Sequence, residues 1–177
     1  MSQHLGRTPA DFRRLATGQN PNAVILACAD SRVSPEILFD AAIGDLFVIR
    51  VAGNYVSGAG SSLKGSIEYG IIELSVPLVM VLGHSSCGAV KAAVQHIRAH
   101  DALPGSIDDL VNNIKPAVLE SEGQSGDLVE NATRANVRRS VQRLKTLEPV
   151  IGPKVKAGTV EVVGGIYDLA TGTVALI

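Results

Sequence analysis

Short, largely apolar runs that alternate with helical patterns constrain the fold of this chain more than any other feature. The three clearest runs are residues 23–27, 46–51 and 78–82. Such runs, rich in Val and Ile, are typical of strands that are buried on both faces, as in a parallel sheet. We expect a fourth strand at residues 159–163. Residues 166–169 and 173–177 flank Ala-Thr-Gly and predict a terminal hairpin.

Helical patterns lie between these runs. They cover residues 61–74, 88–98 and 127–147, and Ser106 indicates a capping box that starts one more helix. Strands that alternate with helices predict an α/β fold with a mainly parallel central sheet flanked by helices, and a C-terminal antiparallel hairpin or edge strand. We expect a short N-terminal arm over residues 1–22 and one domain over residues 23–177.

Composition excludes several classes of protein. With 177 residues and 46% hydrophobic residues, the chain can bury a core, and most of it is not intrinsically disordered. Lys and Arg number 16 against 17 Asp and Glu, and aromatic residues make up 3%, so neither charge nor stacking favours a nucleic-acid partner. No apolar signal-peptide region or membrane-spanning stretch is evident. We therefore expect a cytoplasmic protein with no membrane partner.

The residues with metal chemistry follow two of the predicted strands. Cys28 comes directly after the first strand, and His84 and Cys87 come directly after the third. Ligand sites in parallel sheets lie beyond the carboxyl ends of the strands. Thiolates and a neutral imidazole are ligands that Zn²⁺ prefers, and three protein ligands leave a fourth position open, as in catalytic zinc sites. The sequence therefore predicts one catalytic zinc ion per chain.

Two further side chains lie close to the first cysteine. Asp30 is either a fourth metal ligand or the acceptor of a hydrogen bond from a metal-bound water, and a bidentate pair with Arg32 would hold it in the second role. The alternative interpretations of the cysteines are two small buried apolar residues, or a disulfide between Cys28 and Cys87. Neither alternative explains why His84 lies beside them.

Six segments, taken in order, resemble the β-class carbonic anhydrase family. They are residues 28–33 (CADSRV), 44–48 (GDLFV), 50–54 (RVAGN), 66–69 (SIEY), 84–89 (HSSCGA) and 165–168 (GIYD). The resemblance covers roughly residues 18–177, and the combination of segments is highly specific.

The resemblance implies an enzyme that hydrates CO₂ reversibly to bicarbonate and a proton. Zinc would be held by Cys28, His84 and Cys87, and the zinc-bound hydroxide would attack CO₂. Asp30 and Arg32 would be the dyad that orients the water. The resemblance also implies that the backbone N–H of Gly88 donates to a substrate oxygen. Members of the family are homodimers or larger homo-oligomers, with active sites at the subunit interface.

Some members of the family bind bicarbonate in a regulatory pocket that forces the dyad aspartate onto zinc. Arg50 and Tyr167 match the pocket positions, but Ile25 stands where such members tend to have Trp. We therefore expect the form in which the aspartate stays paired with arginine. The alternative role of Arg50 is a structural ion pair with Asp45 or Glu68.

Two histidines, His96 and His100, lie four residues apart on a predicted helix. They are either a second metal site or proton shuttle, or part of a solvated helix face. The second interpretation is favoured because no acidic residue is spaced with them.

Two other functions remain open at the level of sequence. Hydrolysis of COS or CS₂ uses this fold and zinc site, and linear triatomic substrates differ little in size. A zinc-bearing regulatory module without catalysis is the other possibility, but the intact Asp30 and Arg32 argue against it.

Overall fold

The structure is a computed structural model that describes residues 8–57, 61–99 and 101–177. It contains a five-stranded sheet in the order β2-β1-β3-β4-β5. The strands are β1 (Ala23–Ala27), β2 (Leu46–Arg50), β3 (Leu78–His84), β4 (Glu161–Asp168) and β5 (Thr173–Leu176). The first four strands are parallel, and β5 pairs antiparallel with β4. The predicted α/β fold is therefore confirmed.

Helices connect the strands and cover the sheet. They are α1 (Pro9–Leu15), α2 (Pro35–Leu38), α3 (Ser61–Ile72), α4 (Gly88–Ala99), α5 (Ile107–Ser121), α6 (Leu128–Lys145) and α7 (Ile151–Lys156). Residues from α3, α6 and α7 form one buried cluster with side chains of β1, β3 and β4. A second cluster joins α4, α5 and α6 around the two cysteines. Among the described residues, no helix is both long and apolar enough to cross a membrane.

Strand register brings the ends of β1 and β3 side by side. All five residues of β1 are buried, as expected for a strand flanked by β2 and β3. Ala27, the last residue of β1, pairs with Leu82 of β3. Cys28 therefore begins its loop beside Gly83 and His84, so the two halves of the predicted metal centre meet at one edge of the sheet.

Glycines in the strands let α6 lie close to the sheet. A Cβ atom on Gly83 would come within 2.6 Å of Val137 Cγ2, and one on Gly164 within 2.8 Å of Val137 Cγ1. Both distances are shorter than packed carbon atoms allow. The absence of these two side chains therefore fixes how closely α6 approaches β3 and β4.

Several predicted elements differ from those observed. The fourth strand and the first hairpin arm, predicted as separate, form the single strand β4, because the pair Gly164 and Gly165 continues the ladder instead of ending it. Ser106 precedes α5, but its side chain makes no capping hydrogen bond, so the predicted capping box is wrong. The short helices α2 and α7 were not predicted.

Candidate metal centre

The structure brings Cys28, His84 and Cys87 into one buried cluster. Their ligand atoms all lie within 4.8 Å of one another. A metal ion that bonds each ligand atom at about 2.0–2.3 Å can bridge ligand atoms that are up to roughly two bond lengths apart, which is close to this separation. Cys28 follows β1, His84 ends β3, and Cys87 lies immediately before α4, so each side chain is set by a different element.

The imidazole of His84 is oriented by its neighbour Ser85. His84 Nδ1 lies 3.0 Å from the carbonyl oxygen of Ser85, so Nδ1 carries the proton and Nε2 has a free lone pair. Nε2 is buried and has no hydrogen-bond partner among the described residues. A buried polar atom without a partner is costly unless an unseen group binds it. This atom points to a metal ligand.

Ser85 also joins the end of β3 to β4. Its backbone N–H donates to the carbonyl oxygen of Tyr167 at 2.9 Å, and its hydroxyl accepts from the N–H of Leu169 at 2.9 Å. These two bonds hold the turn after His84 against the neighbouring strand. They restrict where the imidazole can move.

The Cys28 sulfur accepts two backbone hydrogen bonds. The N–H groups of Gly53 and Asp30 lie 3.2 and 3.4 Å from Sγ. A hydrogen bond from Cys87 is the largest cause that lowers the pKa of Cys28 to about 4, and the backbone N–H groups of Gly53 and Asp30 lower it further. The same hydrogen bond, together with burial, raises the pKa of Cys87. The two sulfurs therefore hold one negative charge, which lies on Cys28, and Cys87 must lose its proton when a metal binds.

Asp30 and Arg32 form the predicted pair. Arg32 Nε and Nη2 donate to Asp30 Oδ1 and Oδ2 at 2.9 and 2.7 Å, and the Arg32 backbone N–H also donates to Oδ1 at 3.0 Å. These bonds hold the pKa of Asp30 well below its usual range. Asp30 Oδ2 is 3.8 Å from His84 Nε2, so the carboxylate borders the ligand cluster while both its oxygens accept from arginine.

Arg50 lies at the end of β2 and Tyr167 lies on β4. Three strand intervals separate their strands, which at about 4.8 Å each amounts to roughly 14 Å between the backbones. Arg50 donates instead to the carbonyl oxygens of Cys28 and Asp30 at 3.1 and 2.7 Å, so the ion pair expected with Asp45 or Glu68 is wrong. A bicarbonate pocket shared by Arg50 and Tyr167 stays a prediction.

Gly88 is the first residue of α4, directly after Cys87. Its N–H is one of the four that a helix cannot satisfy internally, so it is available to an acceptor outside the helix. A Cβ atom built on Gly88 meets no other atom within 4 Å, which shows open space beside this residue.

His96 has an acidic partner that its spacing did not indicate. Its Nδ1 lies 2.8 Å from Asp101 Oδ1, in a pair exposed at the end of α4. The argument that no acid accompanies these histidines was therefore wrong for His96. His100 lies outside the described residues.

Three contributors to the site were missed in the sequence, namely Gly53, Ser85 and Asn136. Asn136 Nδ2 donates to the Gly53 carbonyl at 2.7 Å, across 83 residues of sequence. The available signal was a polar residue on the inward face of an amphipathic helix, next to Val137. No local pattern shows which distant loop such a residue contacts.

The residues present fit a bound metal ion. The donor set is two sulfurs and one imidazole nitrogen, and the nitrogen is buried without a partner in the described part of the chain. The sulfurs belong to free cysteines and form no disulfide. Soft thiolates combined with imidazole select zinc and similar ions over magnesium or calcium.

Known proteins match this chain over most of its length. A family model described as carbonic anhydrase matches residues 23–174. Carbonic anhydrase 2 of Mycobacterium tuberculosis is 38% identical over 174 residues, which cover 98% of this chain and 83% of that protein. A carbonic anhydrase of Mycolicibacterium smegmatis is 40% identical over 162 residues, covering 92% and 77%.

Solved structures agree with the sequence matches. The β-carbonic anhydrase CcaA superposes with a TM-score of 0.83 at 31% identity, covering 94% of this chain and 84% of that one. One of the tetrameric β-carbonic anhydrases of Sordaria macrospora gives a TM-score of 0.85 at 26% identity, covering 96% and 87%.

Proposed function

The chain belongs to the β-class carbonic anhydrase family of enzymes, and on that premise we propose that it hydrates CO₂ reversibly to bicarbonate and a proton. The proposed cofactor is one zinc ion per chain, held by Cys28, His84 and Cys87. The observation that carries the proposal is His84: its ligand atom lies within 4.8 Å of both cysteine sulfurs, and its buried Nε2 has no partner among the described residues.

When bound, zinc supplies a nucleophile at neutral pH by lowering the pKa of a coordinated water from about 15.7 to about 7. The chain's own residues then orient and position the reactants. The carboxylate of Asp30 is a hydrogen-bond acceptor at the edge of the ligand cluster. Arg32 fixes that carboxylate with two hydrogen bonds from its side chain, so the acceptor stays ionised and does not move onto the metal position.

Gly88 contributes through its backbone. Its N–H lies at the positive end of the α4 dipole, where a developing negative charge on a substrate oxygen is favoured. Hydration of one CO₂ by one water releases one proton for each bicarbonate. That proton must leave for the solvent.

Assembly and location complete the proposal. We propose a homodimer or larger homo-oligomer, since relatives of the same fold from Sordaria macrospora are tetrameric. A cytoplasmic location agrees with two cysteines that must stay reduced to bind metal. Analytical ultracentrifugation across a concentration series tests the assembly.

The decisive experiment measures metal and turnover in the same samples. We expect purified protein to contain about one zinc per chain by elemental analysis and to hydrate CO₂ in a stopped-flow assay. Cys28→Ser and Cys87→Ala should lose both properties because each removes a ligand. Parallel assays with COS and CS₂ separate the hydrolase alternative. Zinc-loaded protein that turns over none of the three substrates would contradict the enzymatic proposal.

A further inference from the structure

Asn136 is a buried polar side chain on a helix that is otherwise packed against apolar residues. It is 3% exposed and lies next to Val137, which contacts the sheet. Its Nδ2 donates to the backbone carbonyl of Gly53 at 2.7 Å. A buried amide of this kind is retained only where its hydrogen bonds are satisfied, so this contact defines where the Gly53 loop lies.

Gly53 is bonded on its other side to the metal centre. Its N–H donates to Cys28 Sγ at 3.2 Å. Gly53 has a φ of 80°, in the left-handed region, and this conformation turns its N–H and its carbonyl towards different partners. One residue therefore links the sulfur of Cys28 to the side chain of Asn136.

The same helix holds the loop at a second point. The hydroxyl of Ser140, one turn after Asn136, accepts from the backbone N–H of Val56 at 3.3 Å. Ser140 is 4% exposed, so this bond is also shielded from water. The loop after β2 is thus fixed to α6 by two buried polar side chains.

We propose that Asn136 is a positioning residue for the metal centre, which holds the Gly53 N–H on the sulfur of Cys28 and so sets how much charge that sulfur donates to the metal. The inference rests on the proposed zinc site. Without the Asn136 amide, the buried Gly53 carbonyl has no donor, and the loop must shift to reach one. The hydrogen bond to Cys28 then lengthens or is lost.

Two effects on the metal are expected. Outer-shell hydrogen bonds of this kind change metal affinity by about 10- to 100-fold when they are removed. A thiolate that loses a hydrogen bond is also a stronger electron donor. In Co²⁺-substituted protein, the sulfur-to-metal charge-transfer band should therefore move to longer wavelength.

The experiment compares asparagines on one helix. Asn136→Leu keeps the side-chain volume but removes the donor, and Asn136→Ser is polar but too short to reach Gly53. The control is Asn131→Leu, also on α6, whose Nδ2 donates to the Ser125 carbonyl at 3.0 Å and not to the Gly53 loop. Zinc affinity is measured by chelator competition, and the Co²⁺ spectrum is recorded for each protein.

We expect both Asn136 variants to bind zinc about 10- to 100-fold more weakly than wild type and to shift the Co²⁺ band, while Asn131→Leu does neither. Thermal unfolding of the metal-free proteins shows how much stability each variant has lost. Unchanged zinc affinity and unchanged Co²⁺ spectra in folded Asn136 variants would overturn the role of Asn136 but not the proposed function. A wild-type protein that binds neither zinc nor Co²⁺ would instead overturn the proposed function.

Discussion

Replacing Gly53 by Ala tests whether the loop beside the metal centre has room for any side chain. The new Cβ atom would lie 2.6 Å from Ile114 Cδ1 and 3.1 Å from Ala89 Cβ. Ile114 is fully buried and cannot swing into solvent. Overpacking of this kind costs about 1–3 kcal/mol, and an L-residue in the left-handed region costs a further 1–2 kcal/mol or so. We expect the free energy of unfolding to fall by roughly 2–5 kcal/mol.

The matched control separates the two causes. Gly123 has a φ of 78°, and a Cβ atom built there meets nothing within 4 Å. Gly123→Ala should therefore lose only the conformational contribution, about 1–2 kcal/mol. Urea unfolding with reductant and chelator present measures both variants without a contribution from metal binding.

A second substitution tests the steric contact directly. Ile114→Val removes the Cδ1 atom that the new side chain of Gly53→Ala would meet, and alone it should cost about 0.5–1.5 kcal/mol. In the double variant we expect the two losses to be less than additive by about 1 kcal/mol or more. If Gly53→Ala costs no more than Gly123→Ala, or if the losses simply add, the packing argument is wrong.

Two further predictions concern charge. Arg32→Ala should lower kcat/KM for CO₂ by about 10- to 100-fold with zinc content unchanged, because Asp30 loses the donors that hold it. The control variant Arg138→Ala, at an exposed position, should change neither kcat/KM nor zinc content. Stopped-flow assays and elemental analysis measure these two quantities, and full activity in Arg32→Ala would reject the dyad. Burial and the charge of Asp109 raise the pKa of Tyr55. The unfolded chain therefore releases this proton first, and the free energy of unfolding should fall as pH rises above about 10. Urea unfolding from pH 8 to about 11 should show a shallower fall in Tyr55→Phe, and identical slopes would contradict it.

The sequence predicts the fully buried strand β1 well. Residues 23–27 were predicted as a strand and form β1, because every side chain there is buried and apolar. The pair Gly164 and Gly165 misled the prediction, since glycine ends many strands. Here the pair is needed because Val137 and Met80 pack where side chains would otherwise lie. Only the tertiary contacts distinguish these cases.

Some residues of the metal centre can likewise be predicted from the sequence, and others cannot. Cys28, His84 and Cys87 are evident from residue type and from their positions at strand ends, and Asp30 and Arg32 pair within a short loop that spacing describes. Contacts across long stretches of sequence are different. The bond from Gly53 to Cys28 spans 25 residues, and that from Asn136 to Gly53 spans 83. Such partners depend on how α6 docks on the sheet, which no local pattern encodes.

The two cysteines of the metal centre are anchored to very different degrees. Cys28 follows β1, which is hydrogen-bonded to a neighbouring strand on each side. The backbone amide hydrogens of β1 can therefore exchange with solvent only when the sheet itself opens. Cys87 precedes the first turn of α4, whose leading N–H groups have no partner within the helix and which no strand ladder holds. Loss or capture of an ion should therefore begin on the side of Cys87, and the speed of metal exchange will follow the local opening of α4 while β1 stays intact.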